Sequence, residues 1–378
     1  MWYAPFLQFS AGMLVFWILV FALAVQLFYY LFFFLRLARY RGKQAVEQLP
    51  PVSVVICARN EDDNLVAFLP LVLAQDYPDF QVVVVNDCSF DNTEDILKEF
   101  AERHPHLKVV TIKEDEYYSH GKKVALMMGI KGAKHEHLLL TDADCWPAGT
   151  NWLRNMAGHF TTETEIVLGY GPYEKRRGLL NKLIRFDAFF IALQYLSFSL
   201  ARVTYMGVGR NLAYKKELFY RHKGFASHYH IRSGDDDLFV NEAATRTNTR
   251  VELNPDSFTH SVPEHTFIAW WRQKRRHLST GKRYKFGHKF LLINYVLSQW
   301  LFFGSFIAAL VLNFQPYVVI GILMLRMLLQ ILIFKKTMEK LGERDLLFLA
   351  PFVEIFLLFF YPALTFAGIF QRRRKWMM

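Results

Sequence analysis

The stretch LLLTDADCW, residues 138–146, ends an apolar run on two carboxylates, Asp142 and Asp144. Strand side chains two apart point to the same face. Two like charges held that way repel unless a cation lies between them. The pair is therefore suited to a hard divalent ion bound through oxygen. Mg2+ or Mn2+ commonly takes one or two carboxylates together with substrate phosphates, and an ion so placed neutralises charge developing on a leaving group. A second acidic run, Ser233-Gly234-Asp235-Asp236-Asp237-Leu238, has the composition of a helix N-terminus, where acids favour the macrodipole. Lys122, taken alone, reads as a solvated lysine at a helix start. The chain contains neither GxGxxG nor GxxxxGK[ST], so no dinucleotide or P-loop site is expected.

These groups need a frame. Val52–Ala58 is a short β-branched run after Pro50-Pro51 and reads as a buried strand. The apolar spacing of Leu65, Phe68, Leu69 and Val72 predicts a helix over 64–75, kinked at Pro70. Gln81–Asn86 is a second strand, Thr93–Arg103 a helix capped by Asp91 or Asn92, and Leu107–Ile112 a third strand. Lys122–Gly132 follows as a helix and His137–Thr141 as a fourth strand. Strand–helix alternation with near-continuous apolar strands predicts an α/β domain whose sheet is mainly parallel and covered on both faces. Ligands of such sheets bind beyond the carboxyl ends of the strands. There the first strand delivers Arg59-Asn60-Glu61, the second Asp87, and the fourth Asp142 and Asp144.

The flanks differ in character. Residues 11–35 carry no charge and are long enough to cross a bilayer. A signal peptide is the rival, but its apolar core is shorter and ends at small residues, whereas this run ends in aromatics and then Arg36, Arg39, Arg41 and Lys43. Residues 290–314, 316–334 and 346–370 are three further apolar blocks, the last one a membrane span or a re-entrant segment turned back at Pro362. The basic flank after the first span places the N-terminus outside and the domain of about residues 50–280 in the cytosol. The expectation is an integral multi-pass protein of the cell (inner) membrane. Residues 179–203 read either as an interfacial helix or as a buried helix of the domain. Arg326 and Glu354 lie at matching depth on neighbouring antiparallel spans and are expected to pair.

The net charge of +11 does not point to nucleic acid, because much of it flanks the membrane segments. Residues 272–289 carry eight Lys/Arg and no acid, as expected of a cushion against anionic lipid headgroups. Cys57, Cys88 and Cys145 are scattered and form no CxxC pair, against a disulfide framework or a zinc site.

The ordered motifs VSVVICARNEDDNL, QDYPDFQVVVVNDCSFDNT, GKKVAL, TDAD, GDDDL and QKRRH resemble those of family 2 glycosyltransferases of GT-A fold, in particular membrane-embedded members such as the hyaluronan, chitin and cellulose synthases. The resemblance covers about residues 50–280. It implies a nucleotide diphosphate sugar donor, a UDP-sugar first of all. Glu61 and Asp87 would contact ribose and base, Lys122 would lie near the donor, and Asp142 and Asp144 would hold Mg2+ or Mn2+ on the diphosphate. The base that deprotonates an acceptor hydroxyl would be Asp236, with Asp235 as its neighbour, or Asp235 in the alternative register. Crowded carboxylates raise at least one pKa, which suits a base. Gln273 and Arg276 match the family's QxxRW, while His277 replaces its tryptophan and leaves processivity open. Trp270 and Trp271 stand nearby as substitutes for it or as interfacial anchors. Gly207–Tyr214 (GVGRNLAY) is similar to the acceptor-side loop.

The resemblance thus implies an inverting transferase acting on a lipid-linked or polysaccharide hydroxyl at the cytosolic membrane face, against membrane lipids. The rivals are a polyprenyl-phosphate sugar synthase, whose phosphate acceptor needs no base, and a non-catalytic membrane scaffold.

Overall fold

The computed structural model describes residues 4–42, 49–113, 121–231 and 233–374, and the chain divides into two units: residues 41–285, and the two flanks 1–40 and 286–378. Of the basic flanks, Lys43 and Lys375 lie outside the described residues.

The chain begins with α1 (Ala4–Phe28), which passes through a π-helical turn, Tyr29–Phe34, into α2 (Leu35–Arg39). The central unit then alternates β1 (Val52–Ala58), α3 (Asp62–Leu73), β2 (Phe80–Asp87), α4 (Thr93–Arg103), β3 (Leu107–Ile112), α5 (Lys122–Gly132) and β4 (His137–Asp142). β1 is central, with β2 and β4 parallel on either side and β3 parallel beyond β2. The β-branched runs supply both faces. Val54, Ile56, Val82, Val84 and Leu139 pack with Leu65 and Leu69 of α3 and Leu97 of α4. On the opposite face α5 approaches closely at Gly129, where a Cβ would come within 2.5 Å of the Val55 Cγ1. Burial on both faces is what the unbroken apolar strands require.

Beyond β4 the pattern changes. β5 (Cys145–Pro147), α6 (Trp152–Ala157), β6 (Ile166–Leu168), α7 (Leu179–Leu200), β7 (Leu212–Lys215), α8 (Lys216–Arg221), α9 (Asp237–Ala243), β8 (Thr249–Val251), β9 (Thr259–Ser261) and α10 (Phe267–His277) complete the unit. The main sheet runs β3-β2-β1-β4-β7-β6-β8, with β7 antiparallel to β4 and to β6, while β5 and β9 form a separate pair. The sheet is thus mainly parallel.

Two expectations are corrected. α3 starts two residues earlier than its apolar spacing predicts, because the loops after β1 and β2 are tied together. The Glu61 N–H donates to the Thr93 Oγ1 at 3.1 Å and the Asp62 N–H to Asp91 Oδ2 at 3.3 Å. α7 is largely buried, so the domain-helix reading holds and the interfacial one does not. Phe186, Phe189, Leu193 and Leu196 are buried, Tyr195 Oη donates to the Gly169 carbonyl at 2.7 Å, and Asp187 pairs with Lys274 of α10. Trp270 is likewise fully buried in protein.

The flanking unit is completed by α11 (Phe286–Val311), α12 (Pro316–Lys340) and α13 (Ala350–Arg374), each long and apolar enough to cross a membrane, as is the Ala11–Arg39 stretch. Pro362 lies within α13, which continues as helix to Arg374. The expected pair forms: Arg326 Nη2 donates to Glu354 Oε1 at 2.7 Å, with both side chains buried. Around it, Arg326 Nε donates to Gln26 Oε1, Nη1 to Gln330 Oε1, and Gln299 Nε2 to Glu354 Oε1 at 2.7–2.9 Å. Gln330 Nε2 bonds the other Glu354 oxygen at 2.8 Å. The guanidinium also lies over Phe303, 5.2 Å from the ring centre. One polar cluster thereby links four apolar helices, as hydrogen bonds between helices do where no water competes.

Candidate active site

Three parallel strands end at one rim. Asp142 is the last residue of β4 and stands in register with Cys57 of β1, while Asp87 closes β2. Asp87 is buried, and its Oδ1 has no hydrogen-bond partner among the described residues. A buried acceptor left so is costly unless a ligand completes it. Glu61 follows β1, half-buried, its Oε2 accepting from Asn64 Nδ2 at 2.6 Å. Burial, joined by the charges of Asp144 and Asp142 and opposed by the Asn64 bond, raises its pKa.

Lys122 opens α5 and joins two acidic groups. Its Nζ lies 2.6 Å from Asp142 Oδ1 and 3.4 Å from Asp235 Oδ2. Burial would push its pKa down, but Asp142, Asp235 and Asp236 outweigh that and raise it, so it stays a cation. The solvated-lysine reading therefore gives way to a fixed one. Burial also works against Asp142, yet Lys122, with Arg210 in support, holds its pKa below the usual range. Asp144 goes the other way: burial first, then the Asp142 charge, raise it.

Asp142, Asp144 and Cys145 offer ligand atoms within 4.8 Å of one another. Burial and the two carboxylates push the Cys145 thiol well up, so it stays protonated and is a poor metal ligand. The usable donors are carboxylate oxygens, one of them short of compensating charge. That set fits Mg2+ or Mn2+ with substrate phosphates as the remaining ligands, and does not fit zinc.

The structure gives the three acids of GDDDL separate tasks. Asp235 faces Lys122. Asp236 caps α9, its Oδ1 accepting from the Asp237 N–H at 2.7 Å, and its Oδ2 accepts from the Gly209 N–H at 2.8 Å. Asp237 is bound by Thr280 and Tyr284 hydroxyls at 2.5 and 2.6 Å. Burial, followed by the charges of Asp235 and Asp237, pushes Asp236 up to about 7. The run's approach is held by Lys123, whose Nζ donates to the carbonyls of His228 and Ile231 at 2.6 and 2.9 Å.

Gln273 accepts from Tyr173 Oη at 3.4 Å, whereas Arg276 is exposed in the last turn of α10. His277 lines the open side. Its imidazole is pushed down to about 3, by the surrounding protein first and then by Lys274, Arg276, Arg210 and Lys122. It is therefore neutral near pH 7.

Sequence reasoning missed Arg210 and Tyr173. The Arg210 guanidinium lies 4.3 Å from the Tyr173 ring centre, with its charge acting on both Asp142 and Asp144. Its one sequence signal is an arginine in the glycine-flanked, otherwise uncharged GVGRNLAY.

The sequence profile described as Glycosyl transferase family 2 matches residues 53–222. The chain is 25% identical over 247 residues to the probable glycosyltransferase YdaM of Bacillus subtilis (strain 168), covering 62% of this chain and 56% of that protein. It is 33% identical over 102 residues to poly-beta-1,6-N-acetyl-D-glucosamine synthase of Staphylococcus epidermidis, covering 27% of this chain and 24% of that one. The chain thus spans about half, or less, of the length of these curated relatives. Among solved structures, the mannosyltransferase PcManGT from Pyrobaculum calidifontis, in complex with GDP-Man and Mn2+, is similar with a TM-score of 0.57 at 21% identity, over 89% of this chain and 96% of that one. This likeness speaks to the fold. With a mainly parallel sheet and acids gathered at the sheet's rim, residues 53–222 carry a glycosyl transferase family 2 domain, on a fold of GT-A type.

Proposed function

We propose that the chain is an inverting glycosyltransferase that moves a sugar from a nucleotide diphosphate sugar to a hydroxyl of a lipid-linked or polysaccharide acceptor at the cytosolic face of the cell membrane. The observation that carries this reading is the Lys122 bridge, which holds Asp142, one of two neighbouring carboxylates suited to a divalent ion, against a separate acid, Asp235. A bound Mg2+ or Mn2+ would offset charge on the departing nucleoside diphosphate. The unpaired Asp87 oxygen and Glu61, at and just beyond the ends of β2 and β1, suit the nucleoside. The complex of the Pyrobaculum structure with GDP-Man and Mn2+ accords with such a donor.

Asp235 takes the acceptor's proton as the acceptor oxygen bonds to the anomeric carbon and the carbon–phosphate oxygen bond breaks. One base with no carboxylate nucleophile gives inversion. Asp235 is favoured over Asp236 as the reacting group because both Asp236 oxygens already accept backbone N–H groups. Asp236 serves it by position, its two bonds to backbone N–H groups fixing the turn that carries Asp235. Four helices of the flanking segments long and apolar enough to cross a membrane, and relatives that include polysaccharide synthases, support a membrane location.

The test is a panel of UDP- and GDP-sugars given with Mn2+ to the full chain in membranes, with nucleoside diphosphate release and glycosylated products followed by mass spectrometry. Turnover of one donor into an inverted glycoside supports the reading. A product linked to a polyprenyl phosphate oxygen would favour the phosphate acceptor, and silence across the panel would sink the assignment.

A further inference from the structure

Arg210 sits on a turn that is tied down on every side except where its guanidinium points. Thr259 Oγ1 donates to the Arg210 carbonyl at 2.8 Å. The neighbouring Asn211 accepts from Trp152 Nε1 at 3.1 Å and donates to the carbonyls of Tyr170 and Ser257 at 2.9 and 2.7 Å. Gly209, on the other side, donates its N–H to Asp236. Gly171 makes room for the side chain: a Cβ there would lie 3.3 Å from the Arg210 Cβ and 3.5 Å from its Nε. The guanidinium rests over Tyr173, and its Nη1 is buried without a hydrogen-bond partner among the described residues.

A guanidinium cannot shed its proton to relieve burial, and a buried donor left unused is penalised. Its planar fork matches two oxygens of one phosphate. A rigid backbone, an aromatic platform and an unused buried donor beside Asp142 and Asp144 together describe half of an anion site, the other half being the ion those carboxylates suit.

We propose that Arg210 is a substrate-positioning residue that grips the diphosphate of the nucleotide donor. The inference rests on the donor reading above. Because Gly209 of the same turn is bonded to Asp236, the grip also couples the donor's phosphates to the acidic pair that serves the acceptor. A phosphate on a lipid-linked acceptor has the same chemistry, but the place beside Asp142 and Asp144 assigns the donor.

The test uses the full chain in nanodiscs and calorimetric affinities for UDP, UMP, GDP and GMP with Mn2+, and for farnesyl phosphate as a soluble lipid-phosphate probe. Wild type should prefer a diphosphate to its monophosphate. Arg210→Gln should cut that preference by about tenfold or more, the scale of a hydrogen bond to a charged group, with monophosphate affinity unchanged. Arg210→Lys, which keeps charge but not the fork, should fall between. Tyr173→Leu, which removes the platform, should lose part of the preference with position 210 intact, and so guards against a misfolded Arg210 variant. A wild-type preference that survives Arg210→Gln overturns the inference alone. So does a gain in Mn2+ affinity with the preference intact, which would make Arg210 a mere counter-ion, or a loss confined to farnesyl phosphate. If wild type prefers neither diphosphate, the donor reading itself falls.

Discussion

Arg326 and Arg210 are both guanidinium groups lodged among aromatic rings, and the chain uses them in opposite ways. Each nitrogen of Arg326 donates to a side chain, and its partner Glu354 is bonded in turn by Gln299 and Gln330. Among the described residues, Arg210 leaves Nη1 unused, and Asp87 at the end of β2 leaves Oδ1 unused. A saturated buried network holds helices together and has nothing to offer a substrate. An incomplete one is costly to the fold unless a ligand completes it. The membrane-type unit therefore uses its charges as structure, and the rim of the sheet holds its charges in readiness.

That contrast breaks if the rim proves dispensable. Asp142→Asn or Asp144→Asn should abolish turnover, because each removes a charged oxygen from the metal pair. Excess EDTA should do the same to wild type, with recovery on adding Mg2+ or Mn2+. Nucleoside diphosphate release measures it, and full activity in EDTA would end the metal assignment.

Next in size is the base. Asp235→Asn should lower kcat by about 10²–10⁴-fold with donor affinity nearly kept. A dead Asp236→Asn beside an active Asp235→Asn would reverse the two roles. The pH profile sharpens the point. The Asp236 carboxyl, pushed up to about 7, is protonated below that pH and accepts no proton, so a kcat/KM that falls about tenfold per unit below pH 7 and loses that limb in Asp236→Asn would make Asp236 the base in place of Asp235.

The same raised pKa has a consequence for stability. A folded state that holds this proton more tightly than the unfolded chain loses stability as pH rises from about 4 to about 7. Asp236→Asn keeps one capping oxygen but turns an amide NH2 toward the other backbone N–H, so its melting temperature relative to wild type should rise from pH 4 to pH 8, as read by thermal unfolding. An unchanged difference across that range would mean the Asp236 charge is not what strains the site.

On the structural side, Arg326→Gln or Glu354→Gln should each lower the folded yield in detergent, on the scale of about 3–5 kcal/mol for stranding one partner of a buried pair. The double variant should recover much of it, and folded protein should retain its turnover. Additive losses would show that the pair does not act as one. At the bottom of the scale, Lys98→Ala removes the exposed Lys98–Glu94 contact on α4 and should leave the melting temperature unchanged.

The first half of the sheet was legible because its signals are local. β1, α4, β3 and α5 begin and end where their apolar spacing and flanking polar residues place them, and each strand's last residue marks the rim. The second half was not. β5, β6, β8 and β9 are three residues each, too short for any periodicity to show, and they are defined by partners far along the chain. α7 has the composition of a membrane-surface helix, and only its packing reveals a domain helix.

For the site, residue types and order alone determined that carboxylates gather at the ends of parallel strands and that Asp142 and Asp144 stand two apart at one of them. A strand's alternation and a sheet's direction are enough for that. Sequence likewise marked Arg326 and Glu354, since both are misplaced charges in apolar helices. Tertiary structure decided which aspartate of Asp235, Asp236 and Asp237 is left facing Lys122, and that the Arg210 guanidinium comes to rest over Tyr173. These are meetings of loops 20 to more than 100 residues apart in the chain, set by how whole elements pack, and no local spacing records them.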